Sequence, residues 1–232
     1  EISYDAVKGG EVIGSGGQAT VKRVSLPGTD QPDTVAVKQP QAPSETLDTA
    51  VIESFFEEAE TWAKLAKRER TDQYRNTDHI VGIVTIGEDL PWLAMEYMDG
   101  GNLADRLDSY PDGLPVDEAL WIAECLCEGL KLAHDNGVAH LDIKPENILF
   151  RETHNQKWNV PKIADWGLAR SLLADSQSME MLSVEYAAPE QFNPDEFGKP
   201  DSYTDIYQLG AIMYKMVTGE LPYSGEQPEI MH

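Results

Sequence analysis

Between residues 1 and 97 the apolar positions fall mostly in short runs and alternations, the signature of strands. Val12-Ile13 runs into a glycine cluster, and Ala19-Thr-Val-Lys-Arg-Val24 resumes as a β-branched, alternating segment. Pro27-Gly28 and Gln31-Pro-Asp33 mark a turn before the next expected strand, Thr34-Val-Ala-Val-Lys38. A helical period follows. It begins near Ser44, with Glu45 behind it, and carries Val51, Ile52, Phe55, Ala59, Trp62 and Leu65 on one expected apolar face. Lys67 to Asp78 is polar and patternless and predicts a loop insertion, after which Ile80–Ile86 and Trp92–Tyr97 predict a hairpin.

From Asp99-Gly-Gly101 onward the pattern turns helical. Asp117 is the expected N-cap of a long helix with Leu120, Ile122, Ala123, Leu126, Leu130 and Ala133 inward and Gly137 closing it. Short strands are expected near Ile148–Phe150 and Lys162–Ala164, and a second buried helix over Tyr203–Thr218. The chain therefore reads as α+β in two parts, residues 1–97 rich in strands and 98–232 mainly helical.

Charge changes the picture of possible partners. Forty-one acidic against 18 basic residues give a net charge of −23, which argues against nucleic acid or anionic lipid, because phosphate neutralisation needs clustered Lys and Arg. The acids are spread along the chain. Such a surface repels itself at low salt and is screened at about 1 M, where the Debye length is about 3 Å. A halophilic source and a basic protein substrate both suit it, and the 11 Lys against 7 Arg favour neither. No run of about 18 apolar residues is present to span a bilayer. Cys125 and Cys127 sit two apart in the long helix, facing different sides, and make no metal site. A cytoplasmic setting is expected for a chain with no disulfide framework. The Glu1 start and His232 end suggest an excised segment.

The chemistry concentrates at His140-Leu-Asp-Ile-Lys-Pro-Glu-Asn147, with Asp165-Trp-Gly167 following 23 residues after Asp142. Two acidic groups and an amide gathered this way suit holding Mg²⁺ on a triphosphate beside a base for a hydroxyl nucleophile. Gly14-Ser-Gly16-Gly17-Gln-Ala19 also suits a dinucleotide fold, but that use requires the loop to open a helix, and here a strand follows. Lys38 could be only an exposed strand end.

Taken in order, these segments and Ser183-Val-Glu-Tyr-Ala-Ala-Pro-Glu190 resemble the eukaryotic-type (Hanks-type) Ser/Thr protein kinase catalytic domain. The resemblance implies a bilobal protein-kinase-like fold, with a β-rich small lobe bearing one long helix and a mainly helical large lobe. It implies ATP and Mg²⁺ as cofactors and a protein serine or threonine as acceptor. Asp142 is then the base toward the acceptor hydroxyl, Lys144 the γ-phosphate cation, and Asn147 and Asp165 the Mg²⁺ ligands. Lys38 grips the α/β-phosphates and pairs with Glu58, in preference to Glu57 or Glu60. Gly14, Gly16 and Gly17 form the phosphate flap. Ile13, Val21, Ala36 and Leu149 sandwich the adenine, with Met95 as gatekeeper and Glu96 and Met98 offering backbone groups.

His140 is expected to pack beneath the loop, Trp166 under the Glu58 helix against Trp62, and Ser183 beside Asp142. Asp205, in Asp-Ile-Tyr-Gln-Leu-Gly210, is expected to secure the catalytic-loop backbone. Ser171, Ser176, Ser178 and Ser183 are candidate phosphosites. Leu141 stands where many family members carry Arg, which removes the main cation of the phospho-residue pocket. Family members continue past the Asp205 helix with further helices that cover its outer face and give Glu190 an Arg partner. A continuation or a partner chain is therefore expected over that end. The resemblance leaves an ATP-binding pseudokinase or scaffold as the alternative function, although Lys38, Asp142, Asn147 and Asp165 are all present. A small-molecule kinase is disfavoured by Ala188-Pro-Glu190.

Overall fold

The computed structural model describes residues 2–15, 19–26, 28, 32–41, 49–71 (backbone only at 68–71), 78–88, 90–154, 156–166 and 183–223. After a short helix α1 (Tyr4–Val7), the alternating segments form β1 (Glu11–Ser15), β2 (Ala19–Ser25), β3 (Thr34–Pro40), β4 (Ile83–Ile86) and β5 (Leu93–Glu96). They make one antiparallel sheet in the order β1-β2-β3-β5-β4. Its register opposes Val21 to Lys38 and Ala36 to Met95. Directly opposed residues share a face, as do residues two apart on one strand. Val21, Ala36, Lys38 and Met95 therefore stand side by side on one face of the sheet.

Helix α2 (Thr49–Thr71) packs on that sheet through Phe55, Ala59, Trp62 and Leu65, all buried, and Trp62 Nε1 donates to Val81 O at 2.7 Å. Two details differ from the pattern. Val51 is exposed, one turn before the helix meets the core. The expected loop from Lys67 is helical to Thr71, because Lys and Arg are good helix formers that need no apolar face to continue a helix already nucleated.

The large lobe is built on α3 (Leu103–Asp108), α4 (Val116–Asp135), the hairpin β6 (Ile148–Arg151)–β7 (Val160–Ile163), α5 (Pro189–Phe192), α6 (Pro194–Phe197) and α7 (Ser202–Thr218). Pro115, not Asp117, occupies the N-cap of α4. Asp117 lies in the first turn, where a carboxylate favours the helix dipole, and it pairs with Lys157. Ile122, Ala123, Leu126, Leu130 and Ala133 are buried, but Leu120 is 60% exposed, off the apolar stripe. Asn136 caps the helix end, and Gly137 follows with φ +72°, the left-handed conformation a helix stop favours. Cys125 is buried and Cys127 exposed; burial pushes the Cys125 thiol up to about 12. Helix α7 buries Thr204, Asp205, Gln208, Leu209 and Ile212, while Tyr203, Ile206, Tyr214 and Val217 face outward.

The lobes are joined by main-chain bonds. Val81 N–H donates to Ile163 O at 3.0 Å, and Ile163 N–H to His79 O at 2.7 Å. Within the large lobe, just past the connection, Gly100 N–H donates to Phe150 O at 2.8 Å, and Phe150 N–H to Gly101 O at 2.9 Å. A Cβ at residue 100 would lie 2.9 Å from the Phe150 carbonyl oxygen, so this junction requires glycine. The result is the bilobal α+β arrangement that the pattern predicts.

Candidate active site

Strand β3 and helix α2 bring Lys38 and Glu58 together: Lys38 Nζ lies 3.2 Å from Glu58 Oε1 and also bonds the Asp165 carboxylate. Of the three acids weighed on α2, Glu57 is exposed and Glu60 pairs with Lys64 at 3.2 Å. Burial opposes the Lys38 charge, but the Asp165 and Glu58 carboxylates outweigh it and hold the ammonium above its ordinary value. Burial likewise opposes the Asp165 charge, and Lys38 overcomes it, so Asp165 titrates below the usual carboxylate range. At Glu58 burial dominates over Lys38 and raises the carboxyl. The ammonium is shared between the two carboxylates.

Asp165 and Leu141 have φ of +65° and +63°, a left-handed conformation that costs a non-glycine residue about 1–2 kcal/mol and clusters at functional sites. Both are held by what surrounds them. Trp166, after Asp165, is buried, donates Nε1–H to Ile163 O at 3.3 Å and stacks edge-on against His140 at 4.8 Å. Its ring partner is His140, and Trp62, whose indole bonds Val81 O, lies in the same buried core. His140 is fully buried: Nε2 donates to Ala164 O at 2.9 Å, and Nδ1 accepts the Asp142 N–H at 3.2 Å. It orients backbone and has no ring nitrogen left for chemistry.

Asp142 sits 2.7 Å from Lys144 Nζ. Ser183 Oγ accepts from Lys144 at 2.9 Å and faces Asp142 Oδ1 at 3.4 Å. Asn147 Nδ2 donates to the Asp142 main-chain carbonyl at 2.9 Å and to its carboxylate at 3.1 Å. Burial raises the Asp142 carboxyl, with Lys144 opposing. The fully buried Asp205 on α7 accepts the N–H groups of His140 at 2.8 Å and Leu141 at 2.7 Å, and bonds His134 Nε2 at 2.7 Å. Glu190 accepts from Thr204 Oγ1 at 2.6 Å.

Lys38, Asn147 and Asp165 open onto a cavity of about 460 Å³ between the lobes, lined from above by Ile13, Gly14, Val21, Ala36, Lys38 and Met95, at the side by Glu96 and Met98, and from below by Asn147, Leu149 and Asp165. Gly16, Gly17, Gly167, Ser171, Ser176 and Ser178 lie outside the described residues. Glu96 N–H donates to Gly82 O at 2.8 Å, so that donor is committed within the protein.

Sequence reasoning missed two sets of residues here. Asn102, Asp105 and Glu146 line the cavity's lower edge. The signal for the first was present, since Asn102 is an N-cap residue whose side chain accepts the Asp105 N–H at 2.9 Å. The second set is an ion cluster behind the cavity. Lys162 Nζ, 2% exposed, lies 2.6 Å from Asp78 and 2.7 Å from Glu96, and Arg151 bonds both acids. Nothing in local sequence announces it, because its members come from four separate segments.

Among the described residues no group of three or more His, Cys, Asp or Glu side chains could form a metal cage. The available oxygen donors, Asn147 and Asp165, fit Mg²⁺ better than a metal requiring an all-protein cage. Mg²⁺ keeps several waters and shares substrate phosphates with only one or two carboxylates.

Comparison with known proteins agrees with this geometry. The family model described as "Protein kinase domain" matches residues 7–232. "Serine/threonine-protein kinase PknB" of Mycobacterium leprae is 35% identical over 165 residues, 66% of this chain and 25% of that protein. "Serine/threonine-protein kinase PknB" of Mycobacterium tuberculosis is 32% identical over 164 residues, again 25% of its length. "Serine/threonine-protein kinase pkn2" of Myxococcus xanthus is 33% identical over 154 residues, 64% of this chain and 18% of that protein. The chain thus matches about a quarter or less of the length of these relatives. With the motifs in order, the fold in place and a family match over nearly all its residues, the chain belongs to the protein kinase domain family.

Proposed function

We propose that this chain is an active Ser/Thr protein kinase domain that moves the γ-phosphoryl group of ATP to a protein serine or threonine hydroxyl. The observation that carries the reading is Lys38 bonded to both Glu58 and Asp165 in the same cavity that Asn147 lines, with Asp142, Lys144 and Ser183 clustered beside it. In this reading residues 1–97 form the small lobe and 98–232 the large one. Glu58 fixes Lys38 so that its ammonium meets phosphate oxygens. Ile13, Val21, Ala36 and Leu149 exclude water around the base, and Met95 limits the depth of its pocket. Asn147 and Asp165 hold Mg²⁺, which when bound neutralises phosphate charge. Asp142 orients the acceptor hydroxyl and takes its proton, while Lys144 supplies positive charge at the transferring group. Ser183, bonded to Lys144, shapes the acceptor side.

The acidic composition supports a high-salt cellular setting, and the absence of a disulfide pair supports a cytoplasmic one. No helix among the described residues is long and apolar enough to cross a membrane. The pseudokinase alternative gains nothing from the site, since the four residues whose loss is its usual sign are present and gathered.

The test is incorporation of label from γ-labelled Mg·ATP into the chain and into a Ser/Thr peptide library, at low salt and at about 1 M salt. The expected outcome is phosphoserine or phosphothreonine at one or both salt levels. Nucleotide binding with no labelled residue under either condition contradicts it.

A further inference from the structure

Two buried glutamines that the reaction itself does not use meet at the catalytic loop. Gln208 stands three residues after Asp205 on α7, so both side chains leave the same helix face. Gln208 Oε1 accepts the Ile143 N–H at 2.8 Å, and its Nε2 donates to Gln191 Oε1 at 2.9 Å and to Leu141 O at 3.3 Å. Gln191, on α5, accepts the Ala188 N–H at 3.0 Å and donates to Leu141 O at 2.9 Å. The bonding fixes each amide's orientation, since both backbone N–H groups need an oxygen and the Leu141 carbonyl needs a donor. Both glutamines have all their polar atoms engaged, and a buried network satisfied in this way rigidifies what it touches.

The peptide groups bonded are the two that flank Asp142. The Leu141 carbonyl belongs to the peptide before it and the Ile143 N–H to the peptide after it. Leu141 occupies a left-handed conformation that the chain would leave if it were released. The same pair also ties the loop to Ala188, which ends the segment carrying Ser183. Leu141 brings no charge to this junction, so at Ala188 the tie between loop and segment runs through neutral amides, in addition to the Lys144–Ser183 bond.

We infer that Gln191 and Gln208 are positioning residues that set Asp142 against the acceptor side of the site. The inference deepens the kinase reading and rests on it. Neither glutamine lines the nucleotide cavity, so their loss is expected in turnover and not in nucleotide affinity.

The experiment replaces Gln208→Met, which keeps the volume and removes three hydrogen bonds, and Gln191→Met, which removes its own, alone and together. Transfer to a Ser/Thr peptide library and the KM for Mg·ATP are measured, with cooperative thermal melting as the check on folding. For Gln208→Met, kcat is expected to fall about 10–100-fold with the Mg·ATP KM within about twofold, the split expected for a misplaced reacting group. Because the two side chains share one carbonyl, the double variant is expected to lose less than the product of the single losses. Wild-type kcat in a folded Gln208→Met protein overturns the inference, and so does a kcat loss matched by equal loss of Mg·ATP affinity. If Gln208→Met does not melt cooperatively, Gln191→Met decides by the same two readouts, with wild-type kcat overturning the role. A wild-type protein that transfers no phosphate overturns the kinase reading and the positioning role with it, and is distinguished by the missing wild-type signal.

Discussion

At Asp142, burial and a neighbouring charge act in opposite directions, and burial wins. The carboxyl is raised above the ordinary aspartate value of 3.8 although Lys144 lies 2.7 Å away. A raised folded-state pKa means that the folded protein holds its proton to higher pH than the unfolded chain. This contribution to stability is present below pH 3.8 and is lost as pH rises through the folded value. Asp142→Asn removes the titration. Its stability relative to wild type is therefore expected to rise with pH across that window and then level off, as read by denaturant unfolding at a series of pH values. A relative stability that falls with rising pH would mean that Lys144 dominates and lowers the carboxyl. In the proposed reaction the same sign places the acid limb of kcat/KM above the pH expected of an ordinary aspartate, because ionised Asp142 would be the form that accepts the acceptor's proton.

Among the elements, the sheet register sets the cavity's upper wall, and the ion cluster holds Glu96, at its side, to Lys162 and Arg151 of the large lobe. Opposing Val21 to Lys38 and Ala36 to Met95 puts apolar walls and a cation on one face, and alternation in the sequence made those strands legible. The helix carrying Glu58 was legible from Phe55, Ala59, Trp62 and Leu65, which recur at helical spacing. Its end was not, because Lys67 to Thr71 continue the helix without an apolar face. Asp117 was misread because an N-cap residue type one turn-position inside the helix looks the same in sequence as one at the cap. The Lys162–Asp78–Glu96–Arg151 cluster was invisible because only folding joins its four segments. Lys162→Met leaves two carboxylates with Arg151 as their remaining cation. We expect a loss of about 2–3 kcal/mol in urea unfolding, less than the full cost of orphaning a buried pair because Asp78 is 46% exposed. A change below about 0.5 kcal/mol would show that the cluster contributes little to stability.

For the whole molecule, two lobes meet along main-chain bonds that tie His79 and Val81 to Ile163, and Lys38, Asn147 and Asp165 line the space between them. The small lobe supplies Lys38 and Glu58; the large lobe supplies Asp142, Asn147 and Asp165. Neither lobe holds a complete set, so the account requires that binding and transfer be separable by single substitutions. Mg·ATP binding by calorimetry and γ-phosphoryl transfer, measured on the same preparations of wild type and Asp142→Asn, test this most directly. The account predicts that Asp142→Asn binds Mg·ATP within about threefold of wild type while transferring about 10²–10⁴-fold more slowly. Transfer at the wild-type rate by Asp142→Asn would contradict it.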